Sequence, residues 1–126
     1  MKKIFFLSLT LLFFIPEILA DKRAPINISC ASMLADVDAN EARASAKYSD
    51  KTIKISGRVD GIQENWQGEN VVDLSSGDKY NYSWCKLYDV PLDTVMSLDK
   101  GQNVTFECDS FEEIIGSALL SNCKKI

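Results

Sequence analysis

The sequence offers few side chains that could carry out catalysis. It contains no histidine, the residue that most often moves protons near neutral pH. Adjacent acids such as Glu112 and Glu113 are more typical of a solvated loop than of a hydrolase pair, and no serine lies in a G-x-S-x-G turn. The sequence therefore predicts that the protein is not an enzyme and has no cofactor.

The cysteines are the other reactive groups, and there are four: Cys30, Cys85, Cys108 and Cys123. No two of them form a C-x-x-C pair, and without histidine a zinc site is disfavoured. No metal site is predicted. If the chain is exported to an oxidising compartment, two disulfides are expected instead.

The beginning of the chain indicates export. Residues 1–20 read MKKIFFLSLTLLFFIPEILA, in which two lysines precede a mostly apolar run that is short for a membrane span. Ile18-Leu19-Ala20 is suited to cleavage. This pattern predicts a signal peptide, a periplasmic or secreted protein, and no stable membrane span after cleavage.

Charge argues against a nucleic-acid partner. The formal net charge is −4, and cleavage after Ala20 would remove two lysines but only one glutamate. Binding to nucleic acid depends largely on phosphate contacts from a basic surface. Nucleic acid is therefore disfavoured as a partner.

Helical periodicity follows a short polar lead over residues 21–28. Alanine and leucine recur at three- and four-residue steps between residues 29 and 48, a stretch that contains no glycine or proline. This predicts one amphipathic helix, with Ser29 or Ser32 as its N-cap. Its small apolar side chains suit close packing against the rest of residues 29–126, the predicted domain.

The period changes to two after Asp50, in KTIKISGRVDGI. Gly57 falls on the apolar side of this first strand, where a side chain would take core space. Gly61 shifts the alternation so that Ile62 resumes the apolar side. Glycines placed in this way predict a bent strand with a bulge, as a small barrel requires.

Four more strands are predicted, with a short helical link between the third and the fourth. They cover Val71–Leu74, Lys79–Tyr88, Asn103–Asp109 and residues 117–124, and residues 110–116 are predicted to be a loop. The fold class is therefore mainly β: a five-stranded OB-fold Greek-key barrel with an N-terminal α-helix.

The chain resembles the tRNA_anti-like family of exported bacterial OB-fold proteins. The resemblance is carried by Asn40–Ala44, Lys47–Lys51, Ile53–Val59, Trp84-Cys85, Leu98–Thr105, Cys108 and Leu120–Cys123. It implies the OB-fold, but the family name records a similarity to anticodon-binding domains rather than a tRNA activity.

The third strand, KYNYSWCKLY, is the predicted binding surface. If Cys85 points into the barrel, then Tyr80, Tyr82 and Trp84 point outward. OB-folds bind ligands on the outer face of strands two and three, where aromatic rings stack on bases or sugars. Trp66, in the loop between strands one and two, could extend this surface. The alternative is that these rings pack beneath the N-terminal helix or a long loop.

The same topology suggests a disulfide pairing, although four cysteines allow three arrangements. Strands three and five are neighbours in an OB barrel, so Cys85 is predicted to pair with Cys123. Cys30 is then left to pair with Cys108.

The predicted function is binding without catalysis. The partner would be a protein or a small or glycan ligand in the cell envelope, held on the outer face of strands two and three. An envelope inhibitor that binds one protein through this face is a related hypothesis. The alternative is an OB-fold protein that binds single-stranded nucleic acid.

Overall fold

The computed structural model describes residues 24–77 and 83–126. The predicted signal peptide lies outside these residues. The elements in chain order are β1 (Ile26–Ser29), α1 (Cys30–Ala39), α2 (Glu41–Tyr48), β2 (Ile53–Glu64), β3 (Asn70–Ser75), β4 (Trp84–Leu87), α3 (Leu92–Met96), β5 (Asn103–Cys108), β6 (Ser110–Ile114), β7 (Ser117–Ser121) and β8 (Lys124–Lys125). The protein is mainly β with helices near its N-terminus, as in an OB-like fold.

The described residues form eight strands, so the predicted count of five is wrong. Strand β1 lies in the expected loose lead, and β6 lies in the expected loop over residues 110–116. The predicted fifth strand is divided into β7 and β8. Strands β5 and β6 pair with β8 and β7 in a single antiparallel register, so this region is one hairpin with an interruption in each arm. The turn of this hairpin is Ile115-Gly116, and both residues have positive φ.

The strands form one sheet in the order β6-β7-β4-β3-β2-β5-β8, and β1 pairs in parallel with the first part of β2. Since β5 runs into β6 and β7 into β8, both ends of this order belong to the same hairpin. The inner side of the sheet and the buried side chains of α1 and α2 share one hydrophobic core.

The single helix predicted over residues 29–48 is two helices, because Asn40 has an extended backbone. The Asn40 side-chain oxygen accepts a hydrogen bond from the Arg43 backbone N–H at 3.0 Å and so caps α2. Ser29 caps α1 in the same way, by accepting from the Ser32 backbone N–H at 3.1 Å. The break lets α2 bury Tyr48 while α1 buries its own apolar side.

Both predicted disulfide pairings are wrong, since the bonds are Cys30–Cys85 and Cys108–Cys123. Strands β4 and β7 are neighbours as expected, but Ala118 lies opposite Cys85. Cys85 reaches the first residue of α1 instead, with a Cα–Cα distance of 5.9 Å. Cys108 and Cys123 face each other across the β5–β6/β7–β8 hairpin, with a Cα–Cα distance of 4.2 Å.

The two glycines of β2 have the predicted roles. The pairing of β2 with β3 shifts between Val59 and Gly61, which is the expected bulge. After the shift Ile62 packs against the core. Gly57 faces inward, where an added Cβ would lie 3.3 Å from the Leu74 Cβ and 3.4 Å from the Cys30 Cβ.

We expect Gly57→Ala to lower the free energy of unfolding by about 1 kcal/mol, and Gly57→Val by up to about 3 kcal/mol, because the added carbons crowd a filled core. Urea denaturation measures both. Gly61→Ala is the matched control, since its Cβ would lie 3.4 Å or more from the atoms of Asp73, which is ordinary van der Waals contact. Equal losses for Gly57→Ala and Gly61→Ala would contradict this account.

Within residues 24–77 and 83–126, no helix is both long and apolar enough to cross a membrane.

Candidate ligand-binding face

The sheet has an outer face that points away from the core, and Trp84 lies on it. Cys85 and Leu87 are buried, whereas Trp84 and Lys86 are half-buried on the other side of β4, as the alternation predicts. Helix α1 is bonded to the inner side of β4 through Cys30, so Trp84 does not lie beneath it. Tyr80 and Tyr82 lie outside the described residues.

Trp84 has three polar neighbours, two at its ring and one at its backbone. Its indole N–H donates to a carboxylate oxygen of Asp60 at 3.0 Å, and the Lys86 ammonium lies 5.4 Å from its ring centroid. Its backbone N–H donates to the Ser117 hydroxyl at 3.4 Å. Asp60 reaches this position because it lies in the bulge of β2. The ring is thus fixed between an anion and a cation.

One row of outward residues crosses five strands and continues the charged surface. Its members, in register, are Gly61, Asp73, Lys86, Leu119 and Glu112. Asp73 accepts hydrogen bonds from the Lys86 ammonium and from the Gln63 amide, each at 3.1 Å. The ion pair between Asp73 and Lys86 is largely shielded from solvent, since their side chains are 13% and 27% exposed. Asp73 therefore balances the positive charge of Lys86.

A groove of about 370 Å³ adjoins this row. Its lining consists of Glu69, Tyr88, Asp89, Ser110, Phe111, Glu112, Leu119 and Ser121. Three of these residues are acidic and none is basic. The face that runs from Trp84 to this groove, which we call the acidic face, therefore has an excess of negative charge.

Trp66 does not join Trp84. It is 92% exposed in the turn between β2 and β3, where the Asn65 side chain accepts from the backbone N–H groups of Gln67 and Glu69. Trp84 pairs with Ser75 at the other end of β3. The length of a six-residue strand, about 17 Å, separates the two ends.

Several residues of the acidic face were missed from the sequence, namely Asp60, Asp73, Lys86, Tyr88 and Glu112. The parity shift at Gly61 was a usable signal for Asp60, because a bulge changes which side chains point outward.

The described segments that carry the family resemblance mostly have structural roles, such as capping a helix or packing in the core. Asn40 caps α2, and Ala44 and Tyr48 are buried. The Gly101 backbone N–H donates to the Val59 carbonyl at 2.7 Å, which joins the turn before β5 to the bulge of β2. Of these segments, Trp84 and the groove residue Ser121 belong to the acidic face.

Comparison with known proteins gives one family and one solved structure. The model of the tRNA_anti-like family matches residues 16–124. No curated protein matches the chain. A crystal structure from Klebsiella pneumoniae subsp. pneumoniae MGH 78578 is similar with a TM-score of 0.61 and 16% sequence identity, over 86% of this chain and 95% of that one. That protein is described as a "putative nucleic acid-binding lipoprotein". At this identity the similarity concerns the fold.

Proposed function

The chain belongs to the tRNA_anti-like family, and from this premise we propose that it is an exported, non-enzymatic OB-fold protein that binds a partner protein through a lysine- or arginine-rich segment. The observation that carries the proposal is Trp84, fixed beside Asp60 on a face whose groove is acidic. Two disulfides support export, since such bonds persist in oxidising compartments.

The chemistry of the acidic face favours a cationic partner over other ligands. Glu69, Asp89 and Glu112 can accept hydrogen bonds from ammonium or guanidinium groups, and Tyr88 offers a ring for a cation. Lys86 adds no free positive charge because Asp73 pairs with it. A neutral glycan could stack on Trp84, but it would leave the groove carboxylates without a complementary charge.

We expect a ten-residue oligolysine peptide, titrated into ¹⁵N-labelled protein at low salt, to shift the Trp84 indole N–H and the amides of Tyr88 and Leu119. The double variant Glu69→Gln with Glu112→Gln should weaken this binding several-fold, up to about tenfold, since each ion pair at a solvent-accessible position contributes about 0.2–1 kcal/mol. Heteronuclear NMR titration measures both effects.

The control variant is Asp38→Asn with Asp93→Asn, which removes the same charge from exposed helical positions away from the groove. It should bind the peptide almost as well as the wild type. Equal weakening by both double variants would show attraction to overall charge, and the proposed face would then be rejected.

A second candidate function is binding of single-stranded nucleic acid. It is favoured by the OB-like fold and by the description of the similar Klebsiella lipoprotein. The excess of carboxylates on the acidic face counts against it, because phosphates are repelled there. A ten-nucleotide oligothymidine titrated at low salt separates the two candidates. Micromolar binding at Trp84 with a steep salt dependence would reverse the ranking.

A further inference from the structure

A second surface lies on the outer side of β1, β2, β5 and β8. The strand registers align three hydroxyl side chains in one row, because Ser29 pairs with Ser56 and Ser56 pairs with Thr105. Ser56 and Thr105 point away from the core, since their neighbours Ile55 and Phe106 are fully buried. Three adjacent strands therefore present one polar row.

Cations flank this row on both sides. Arg58 follows it along β2, opposite Asn103 on β5. On the other side of the hydroxyl row, two residues away along the strands, a second row contains Lys54, Glu107 and Lys124. These three residues are in register, with Glu107 between the two lysines. The outward rows thus carry three basic side chains, Lys54, Arg58 and Lys124, and one acidic one, Glu107, in a chain whose net charge is −4. Lys125 pairs with the inward-facing Phe106 on the edge strand β8, and so lies beside these rows rather than in them.

The row also lines a cavity. The cavity has a volume of about 490 Å³, within the range of small-ligand sites, and is lined by Ser29, Ser56, Gly57, Asn103, Val104, Thr105, Lys125 and Ile126. A smaller depression of about 240 Å³ shares Ser29, Ser56 and Gly57 with it and adds Arg58. The shared hydroxyls therefore lie between the cavity that Lys125 lines and the depression that Arg58 lines.

We propose that this cavity binds the phosphate group of a small phosphomonoester. Within the cavity the donors are the hydroxyls of Ser56 and Thr105, the Asn103 amide and the Lys125 ammonium, which are groups from which a phosphate dianion accepts hydrogen bonds. The Arg58 guanidinium lines the adjoining depression, and a guanidinium matches two phosphate oxygens at once. The Ser29 hydroxyl is engaged at the N-terminus of α1, where it donates to the Ser32 hydroxyl. No aspartate or glutamate lines either depression, so no acidic side chain there opposes an anion. The proposed anion site lies on a different part of the sheet from the acidic face and has the opposite charge preference.

Inorganic phosphate is the probe that tests the proposal, added to ¹⁵N-labelled protein with sodium chloride adjusted to hold ionic strength constant. We expect saturable shifts at the amides of Ser56, Thr105 and Lys125. Thr105→Val keeps the branched shape and the charge, and together with Ser56→Ala it should weaken binding several-fold. Arg58→Gln with Lys125→Gln should weaken it about tenfold or more.

The control is Arg43→Gln with Lys51→Gln, which removes one arginine and one lysine whose side chains line neither depression. It should bind phosphate as the wild type does. Equal weakening by the two charge variants, or shifts spread over all lysines, would overturn the proposal. It would also be overturned if an oligothymidine bound this surface while inorganic phosphate caused no shift, since the ligand would then be a polymer.

Discussion

Replacing Cys30 and Cys85 together by alanine is expected to lower the free energy of unfolding by about 4 kcal/mol. The bond joins residues separated by 55 positions, so its loss frees a large loop in the unfolded chain. In the folded chain it ties the first residue of α1 to the inner side of β4. Urea denaturation of the oxidised wild type and the double variant measures the difference.

The second disulfide provides the comparison. Cys108 and Cys123 are separated by only 15 positions, so the same reasoning gives about 3 kcal/mol for their replacement by alanine. Their strands are also already paired on either side of the bond. A non-reducing peptide map should find each pair intact. A larger loss for Cys108 and Cys123 than for Cys30 and Cys85 would contradict this ranking.

The two wrong disulfide pairings show which features of this fold can be predicted from the sequence and which cannot. Alternation and glycine placement correctly predicted β2 and its bulge, because both are local properties of one strand. The pairing of Cys108 with Cys123 was also available, since a hairpin turning at Ile115-Gly116 places them opposite each other. Interpreting residues 110–116 as a loop hid this register. By contrast, no local pattern indicates that Cys30 lies beside Cys85.

The candidate site shows the same division. The outward orientation of Trp84 could be predicted, because its neighbour Cys85 had to point inward. Its bond to Asp60 could not, since 24 positions separate the two residues and β3 lies between their strands. The separation of Trp66 from Trp84 depends on which end of β3 each one lies at, and this too requires the pairing of β3 with β4.

The distribution of charged side chains over the surface is a further property that composition does not predict. The net charge of −4 predicted a domain without the basic surface that nucleic acid requires. Instead, carboxylates gather around the groove beside β7, whereas three basic residues, Lys54, Arg58 and Lys124, lie on the outer side of β2 and β8. A basic surface and the acidic face thus lie on different parts of the same sheet. Each face can then select its ligand independently, and variants in one should not alter binding at the other.

Tyr48 offers the second large effect on stability. It is fully buried, its ring lies 5.2 Å from that of Phe111, and its hydroxyl donates a hydrogen bond to Asp36. We expect Tyr48→Ala to lower the free energy of unfolding by about 3–5 kcal/mol, the usual range for a large aromatic ring lost from a core. Tyr48→Phe keeps the ring and removes only the hydroxyl, so near neutral pH its loss should be about 1–2 kcal/mol.

The pH dependence of the Tyr48→Phe loss tests the hydrogen bond itself. The hydrogen bond from Tyr48, followed by that from Lys47, lowers the pKa of Asp36 below 3.8, so this contribution is present above pH 3.8 and is lost as pH falls through the folded-state pKa. Burial and then the bond to Asp36 raise the pKa of Tyr48 above 10.0, so its contribution is lost as pH rises past that value. The difference between wild type and Tyr48→Phe should therefore be largest between these limits and shrink on both sides. Asp36→Asn should reduce the acid-side dependence as Tyr48→Phe does, whereas a difference that stays constant down to pH 2 would exclude the bond as its cause.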